Sequence, residues 1–223
     1  MKQWDKIFKE SGRVFLKLQE DIPKIAKIFK KKGAEKILDL GCGSGRHLVY
    51  FAKKGFRVYG IDISKHGIKL AREWLKEENL VAKLKIGDIY KKLPYPDNFF
   101  DAIISVQVIH HNTLKKIRKL IKEIERILKP KGLIFITVRK AIKVKGWKKG
   151  KIVIHTYKVR RKTIRVPYKI VGERLYIPLK GGEKGLLHFV FKKELIKKEF
   201  KNFKIFNIWT RKGHYCFLGQ LKK

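Results

Sequence analysis

The chain has 223 residues, with 57 Lys and Arg against 19 Asp and Glu and a formal charge of +38. That length suits one packed domain with room for a small insertion, and no apolar run approaches the roughly 20 residues needed to span a bilayer. Two cysteines, Cys42 and Cys216, are too few for a disulfide framework and the first residues lack the character of a secretory leader, so a reducing cytoplasm is expected.

Residues 3–32 read as an amphipathic helical flank (Trp4, Ile7, Phe8; Val14, Phe15, Leu18; Ile25, Ile28, Phe29), broken near Gly12 and Pro23. Ile37, Leu38 and Leu40 then form an apolar strand that runs into Gly41, Gly43 and Gly45, and a helix-like segment over residues 47–54 follows at once. Glycine lets such a turn close tightly and approach a ligand, and a strand–turn–helix aims backbone N–H groups into the crevice at the strand's end. A second apolar strand, residues 56–61, ends at Asp62, where a carboxylate can accept from a ribose. A nucleoside-containing cofactor is therefore expected. The third small residue of a dinucleotide turn is replaced by Arg46, and Asp39 would repel a pyrophosphate, so a cationic cofactor fits better. No Gly-Lys-Ser/Thr follows, which excludes a Walker loop.

Further along, residues 65–76 read as a helix with Ser64 as N-cap. Residues 113–129 read as a long helix with the stripe Leu114, Ile117, Leu120, Ile121, Ile124 and Leu128, ended by Pro130. A strand over 133–138 follows. Residues 151–159 and 163–170 alternate as a hairpin around Arg160-Arg161-Lys162. A helix near 192–200 and strands over 203–210 and 214–221, joined by Arg211-Lys-Gly213, complete the chain.

The stretch Leu38-Asp-Leu-Gly-Cys-Gly-Ser-Gly45 resembles motif I of the class I S-adenosylmethionine (SAM) methyltransferases. Gly60-Ile-Asp-Ile-Ser64 resembles their second motif, and Gly87-Asp88-Ile89, Leu93-Pro94-Tyr95 and Phe100-Asp-Ala-Ile-Ile-Ser105 their third and fourth. Leu128-Lys-Pro-Lys-Gly-Leu-Ile134 resembles the lead into their fifth strand, and the order and spacing fit the type 11 branch over residues 34–138. The resemblance implies an α/β Rossmann-like seven-stranded sheet with a terminal antiparallel β-hairpin, here with a small basic β insertion. It divides the chain into a helical flank (1–33), a SAM-binding core (34–138), a basic insertion over the substrate mouth (139–190) and a C-terminal helix and strand pair (191–223). It also implies that Asp39 and the turn of Gly41, Gly43 and Gly45 hold the methionine end of SAM. Asp62 would take the ribose, Ile63, Asp88 and Ile89 the adenine, and Ser105 and Val106 would line the floor beneath the methyl.

From Arg126 through Gly172 there are sixteen Lys and Arg and no acidic residue, interleaved with Trp147, His155, Tyr157 and Tyr168. Cations that track phosphates together with flat rings suit single-stranded nucleic acid, so Trp147, Tyr157, Arg160, Arg161 and Lys162 are candidate docking residues. The same rings could be the core of a small hairpin, and the same charge a solvated face. An anionic acceptor such as RNA, a small metabolite, and a nucleic-acid-binding module with a degenerate cofactor site are the three readings that remain.

The acceptor's chemistry is less written. The Asn/Asp-Pro-Pro-Tyr/Phe motif of amino methyltransferases is absent, since the fourth strand runs Ser105-Val-Gln-Val-Ile-His-His111. His110 and His111 follow it at the carboxyl edge and are candidate acid–base or orienting groups, as an imidazole can be either. Ile109-His-His111 also resembles the tRNA wobble-uridine carboxymethyl methyltransferases. His188, in Gly185-Leu-Leu-His-Phe189, is a third candidate. No C-x-x-C or H-x-x-x-H pair reads as a metal site, so no metal is expected. Self-association at low salt is disfavoured by the charge.

Overall fold

The structure is a computed structural model describing residues 2–142, 147–159 and 162–223. It opens with α1 (Lys2–Ser11) and α2 (Ile22–Lys31). Gly12, at φ +64, turns the chain after the first helix. The flank is broken between Gly12 and Pro23, as expected, and Pro23 opens the second helix. It sits in the first turn of α2, where a missing N–H removes no helical bond and the fixed φ suits the helix.

A parallel wind follows: β1 (Lys36–Leu40), α3 (Arg46–Lys53), β2 (Arg57–Asp62), α4 (Lys65–Glu77), β3 (Ala82–Ile86), β4 (Phe100–Val106), α5 (Leu114–Ile127) and β5 (Leu128–Arg139). After a second sheet come α6 (Lys193–Glu199), β10 (Phe203–Arg211) and β11 (His214–Leu221). The strand order is β10-β11-β5-β4-β1-β2-β3, with β11 antiparallel to both β5 and β10. Strands covered on both faces are continuously apolar, and Ile37, Leu38, Ala102, Ile103 and Ile104 are fully buried. One face is packed by α5 and α6 through Ile117, Ile121, Ile124 and Phe200. The other is packed by α2, α3 and α4 through Phe29, Leu48, Phe51 and Ile68. The order reverses between β1 and β4, which opens a crevice at their carboxyl ends. The expected seven-stranded sheet with its terminal antiparallel pair is the one observed.

The second sheet is larger than a hairpin. β6 (Ile152–Val159) and β7 (Lys162–Gly172) pair as the alternation predicts, and β8 (Leu175–Pro178) and β9 (His188–Phe189) extend the sheet antiparallel beyond β7. Four residues ending in proline and a two-residue strand carry too little periodicity to be read from sequence. One face of this sheet is packed, with Tyr168, Ile170 and Tyr176 buried against Val190. The other carries exposed Ile152, Ile154, Arg165 and Lys169. Cys42 and Cys216 are buried free thiols. Among the described residues, no helix is long and apolar enough to cross a membrane.

Candidate active site

At the switch point the β1–α3 turn is built on left-handed glycines, Gly41 at φ +83 and Gly43 at φ +53. A Cβ on Gly41 would lie 2.4 Å from Val108 Cγ1, and one on Gly43 would lie 2.9 Å from the Phe8 ring. The turn therefore admits no side chain on either side. It is pinned to the end of β2 by Asp62, which accepts from the Gly43 N–H at 2.8 Å and from the Ser64 N–H at 2.9 Å. Burial raises the Asp62 carboxyl above its ordinary range despite these donors.

Beneath the turn lies Asp39, 1% exposed, with Oδ2 unpartnered. Burial pushes its pKa up to about 7, opposed by Arg46. His47 Nδ1 stands 3.9 Å from that oxygen, but burial holds this imidazole well below its usual pKa, hence neutral. A buried acid with an empty lone pair is what a cationic group entering the cavity requires. His47 carried no signal in the sequence beyond its place in the first turn of α3.

The turn opens on a cavity of about 410 Å³. Gly41, Gly43, Asp62, Ile63, Asp88, Ile89, Val106 and His111 line it. Asp88 accepts from the Tyr90 N–H at 3.0 Å. Asp39 and Gly45 support the turn without lining the cavity. Ser105 is placed differently from expectation: it is fully buried and its hydroxyl donates to Leu40 O at 2.9 Å, tying β4 to β1 below the floor. Gln107, next in line, holds φ +61 and lines the cavity instead. Such a conformation is uncommon for a non-glycine residue and gathers at functional sites.

Helix α1 roofs the cavity with Gln3, Trp4 and Phe8. It is held down by Asp5, whose Oδ1 accepts from the Ser64 hydroxyl (2.8 Å) and the His66 N–H (3.0 Å), with His66 Nδ1 2.9 Å from Oδ2. Ser64 is the expected N-cap of α4, accepting from the Gly67 N–H at 2.9 Å. The sequence suggested an amphipathic flank there but not this clamp, which joins residues far apart in the chain.

The three candidate histidines meet at the acceptor end. Ring centroids of His110 and His111 are 4.3 Å apart, of His111 and His188 4.5 Å, and of His110 and His188 5.6 Å. His110 and His188 are 1% exposed, while the His111 ring walls the cavity edge-on to Trp4. His111 Nδ1 meets Leu187 O at 3.2 Å. His188 Nδ1 meets Leu186 O at 3.0 Å, and its Nε2 meets Glu183 Oε2 at 3.1 Å. His110 Nδ1 and His111 Nε2 are buried without a partner. Burial lowers the His110 pKa far below its ordinary value and that of His111 to about 3, so both rings are neutral.

Of the docking candidates, Tyr157 and Lys162 lie on the β6–β7 hairpin and Trp147 precedes it. Trp147 is half-buried against the core of the second sheet, so its ring is not free to stack on a base. Lys162 is exposed at the start of β7, Tyr157 lies on β6, and Arg160 and Arg161 fall outside the described residues. His155 and Tyr168 turn inward. They begin a stacked column with centroid spacings of 5.3 Å (His155–Tyr168), 4.4 Å (Tyr168–Tyr176) and 4.9 Å (Tyr176–His188).

Residues 38–136 match the model of a methyltransferase-domain family, type 11. A sterol 24-C-methyltransferase of Gibberella zeae is 36% identical over 107 residues, covering 46% of this chain and 27% of that protein. A tRNA (carboxymethyluridine(34)-5-O)-methyltransferase of Arabidopsis thaliana is 37% identical over 118 residues, covering 52% and 27%. The alignments thus span about a quarter of either relative's length. A SAM-dependent methyltransferase structure from Clostridium acetobutylicum superposes at a TM-score of 0.70 with 15% identity, covering 100% of this chain and 99% of that one, which shows the shared fold.

Proposed function

We propose that the chain, whose residues 38–136 match the methyltransferase-domain model, transfers a methyl group from SAM to an anionic acceptor, RNA before small metabolites. The observation that carries the first half is the left-handed glycine turn, pinned by Asp62, that opens on a cavity of about 410 Å³ lined by Asp62 and Asp88. Asp39 would neutralise the ammonium of SAM, Asp62 would accept from its ribose hydroxyls, and Asp88 with Ile63 and Ile89 would hold the adenine. When bound, the cofactor supplies an electrophilic methyl on a sulfonium, and the rest is positioning.

In-line displacement needs the nucleophile aligned and water excluded, which is worth several kcal/mol of barrier. Trp4 and Phe8 of α1 keep water from the methionine end, and Val106, Gln107 and His111 shape the far end. Neither unpartnered histidine nitrogen opens on the cavity. His110, His111 and His188 therefore act here as an orienting wall and not as a proton acceptor. Transfer to a nucleophile that carries no proton at working pH needs no general base.

The anionic acceptor is supported by the +38 charge and by exposed Lys162, Arg165 and Lys169 on β7. The tRNA methyltransferase among the relatives agrees with it; the sterol enzyme does not. The test is transfer of labelled methyl from SAM into host extract split into RNA, protein and small molecules. Label in RNA, suppressed by salt, is expected. Label in small molecules alone would replace RNA with a metabolite.

A further inference from the structure

The histidine wall holds more polar capacity than an orienting role uses. His110 and His111 arrive from the end of β4, and His188 from β9 of the second sheet. One ring nitrogen from each lies within 4.8 Å of the others. Two of the rings are already fixed in one tautomeric sense. His111 donates Nδ1–H to Leu187 O and His188 donates Nδ1–H to Leu186 O, which leaves Nε2 of His111 without a partner and Nε2 of His188 against Glu183. A backbone carbonyl on the remote nitrogen is the support that ligating imidazoles have around metal ions. The unpartnered atoms, His110 Nδ1 and His111 Nε2, are both closed off from solvent. Each leaves a buried polar nitrogen unsatisfied. Glu183 Oε2, 3.1 Å from His188 Nε2, brings a carboxylate against the trio.

We propose that His110, His111 and His188 form a binding site for one divalent transition metal ion, zinc above all, beside the cavity, with Glu183 a supporting group against His188. The donor set decides the class: three imidazoles suit zinc and its neighbours, whereas magnesium and calcium take oxygen ligands. Zinc bonds to nitrogen at about 2.0–2.1 Å, which places tetrahedral ligand atoms roughly 3.4 Å apart. Closing from at most 4.8 Å to that spacing takes about 1 Å of side-chain rotation. The ion displaces the proton shared by His188 and Glu183 and partners the two unsatisfied nitrogens. The adjacent histidines alone gave no metal spacing, because the third ligand comes from a separate sheet.

The site rests on the cluster's geometry alone and stands or falls independently of methyl transfer.

The test uses untagged full-length protein stripped of metal and titrated with Co²⁺, then Zn²⁺, with SAM binding measured in parallel. One equivalent of Co²⁺ with intense tetrahedral visible bands, displaced by one equivalent of Zn²⁺, is expected. His188→Ala and His110→Ala should each weaken zinc binding by at least about 100-fold, and Glu183→Gln by about 10-fold, at the scale on which ligand and supporting groups act. Zinc-edge X-ray absorption on the parent should count three imidazole nitrogens, which keeps the result decisive if a variant fails to fold. Fewer than two histidines at the metal, or zinc binding in the parent no tighter than in the His110→Ala, His111→Ala, His188→Ala triple variant, overturns the site. Metal bound without SAM binding would overturn the methyltransferase reading and leave the metal site standing.

Discussion

Asp39 gives the cofactor reading a measurable edge through its titration. Its carboxyl is raised by burial from 3.8 to about 7. A group whose folded pKa is raised contributes stability that is fully present below the unfolded value and is lost as pH rises through the folded one. The ligand-free protein should therefore lose stability between about pH 4 and 7 from this residue, on the order of 2–4 kcal/mol. Asp39→Asn should flatten that slope in thermal melts taken from about pH 5 to pH 8, while weakening SAM binding by about 100-fold, the scale of a lost buried charge partner. A variant that binds SAM like the parent would remove Asp39 from the ammonium. Gly41→Ala should be harsher still, since its Cβ has Val108 at 2.4 Å and φ is +83. The acids and glycines were legible because a strand-end carboxylate and a turn glycine are fixed by their immediate neighbours. His47, Phe8 and Gln107 were not, since what makes them matter is contact with distant segments, and Ser105 was misplaced because strand alternation does not say which face the hydroxyl bonds to.

Among the elements, α1 is held by the Asp5 clamp together with Phe8 against the glycine turn and Trp4 against His111. Asp5 is held down to about 2, first by the His66 N–H and then by the Ser64 hydroxyl. A depressed carboxylate contributes above its unfolded pKa and is lost as pH falls through the folded value, so this clamp is intact at neutral pH and opens only in strong acid. Asp5→Ala should speed SAM dissociation in stopped-flow measurements with little change in melting temperature, because α1 carries few of the core residues. Ser64→Ala removes both the clamp and the N-cap. It should cost about 1 kcal/mol, a drop in melting temperature of about 2–4 °C for a chain of this size. An unchanged dissociation rate in Asp5→Ala would mean that α1 is not the roof that retains the cofactor. Most helices and strands were legible from period and caps, within a residue or two. The break between Gly12 and Pro23 was legible too, whereas β8 and β9 were silent because their pairing comes from the sheet they complete.

Across the whole molecule, charge outweighs every other surface property. Binding to single-stranded RNA should fall with salt, with a log–log slope near −0.7 for each phosphate neutralised. Lys162→Glu with Arg165→Glu and Lys169→Glu should flatten that slope and leave SAM affinity unchanged. Equal methyl incorporation into RNA by that variant would make the charge incidental. Composition carries the charge but not the acceptor, because the far end of the cavity is assembled from β4, β9 and α1 and no local motif spells it. The stacked rings that run from His155 to His188 add a mechanical consequence. They act as a strut between the outer sheet and the histidine wall. A shift of β6 or β7 would therefore reach His188 through packed rings and not through a hinge.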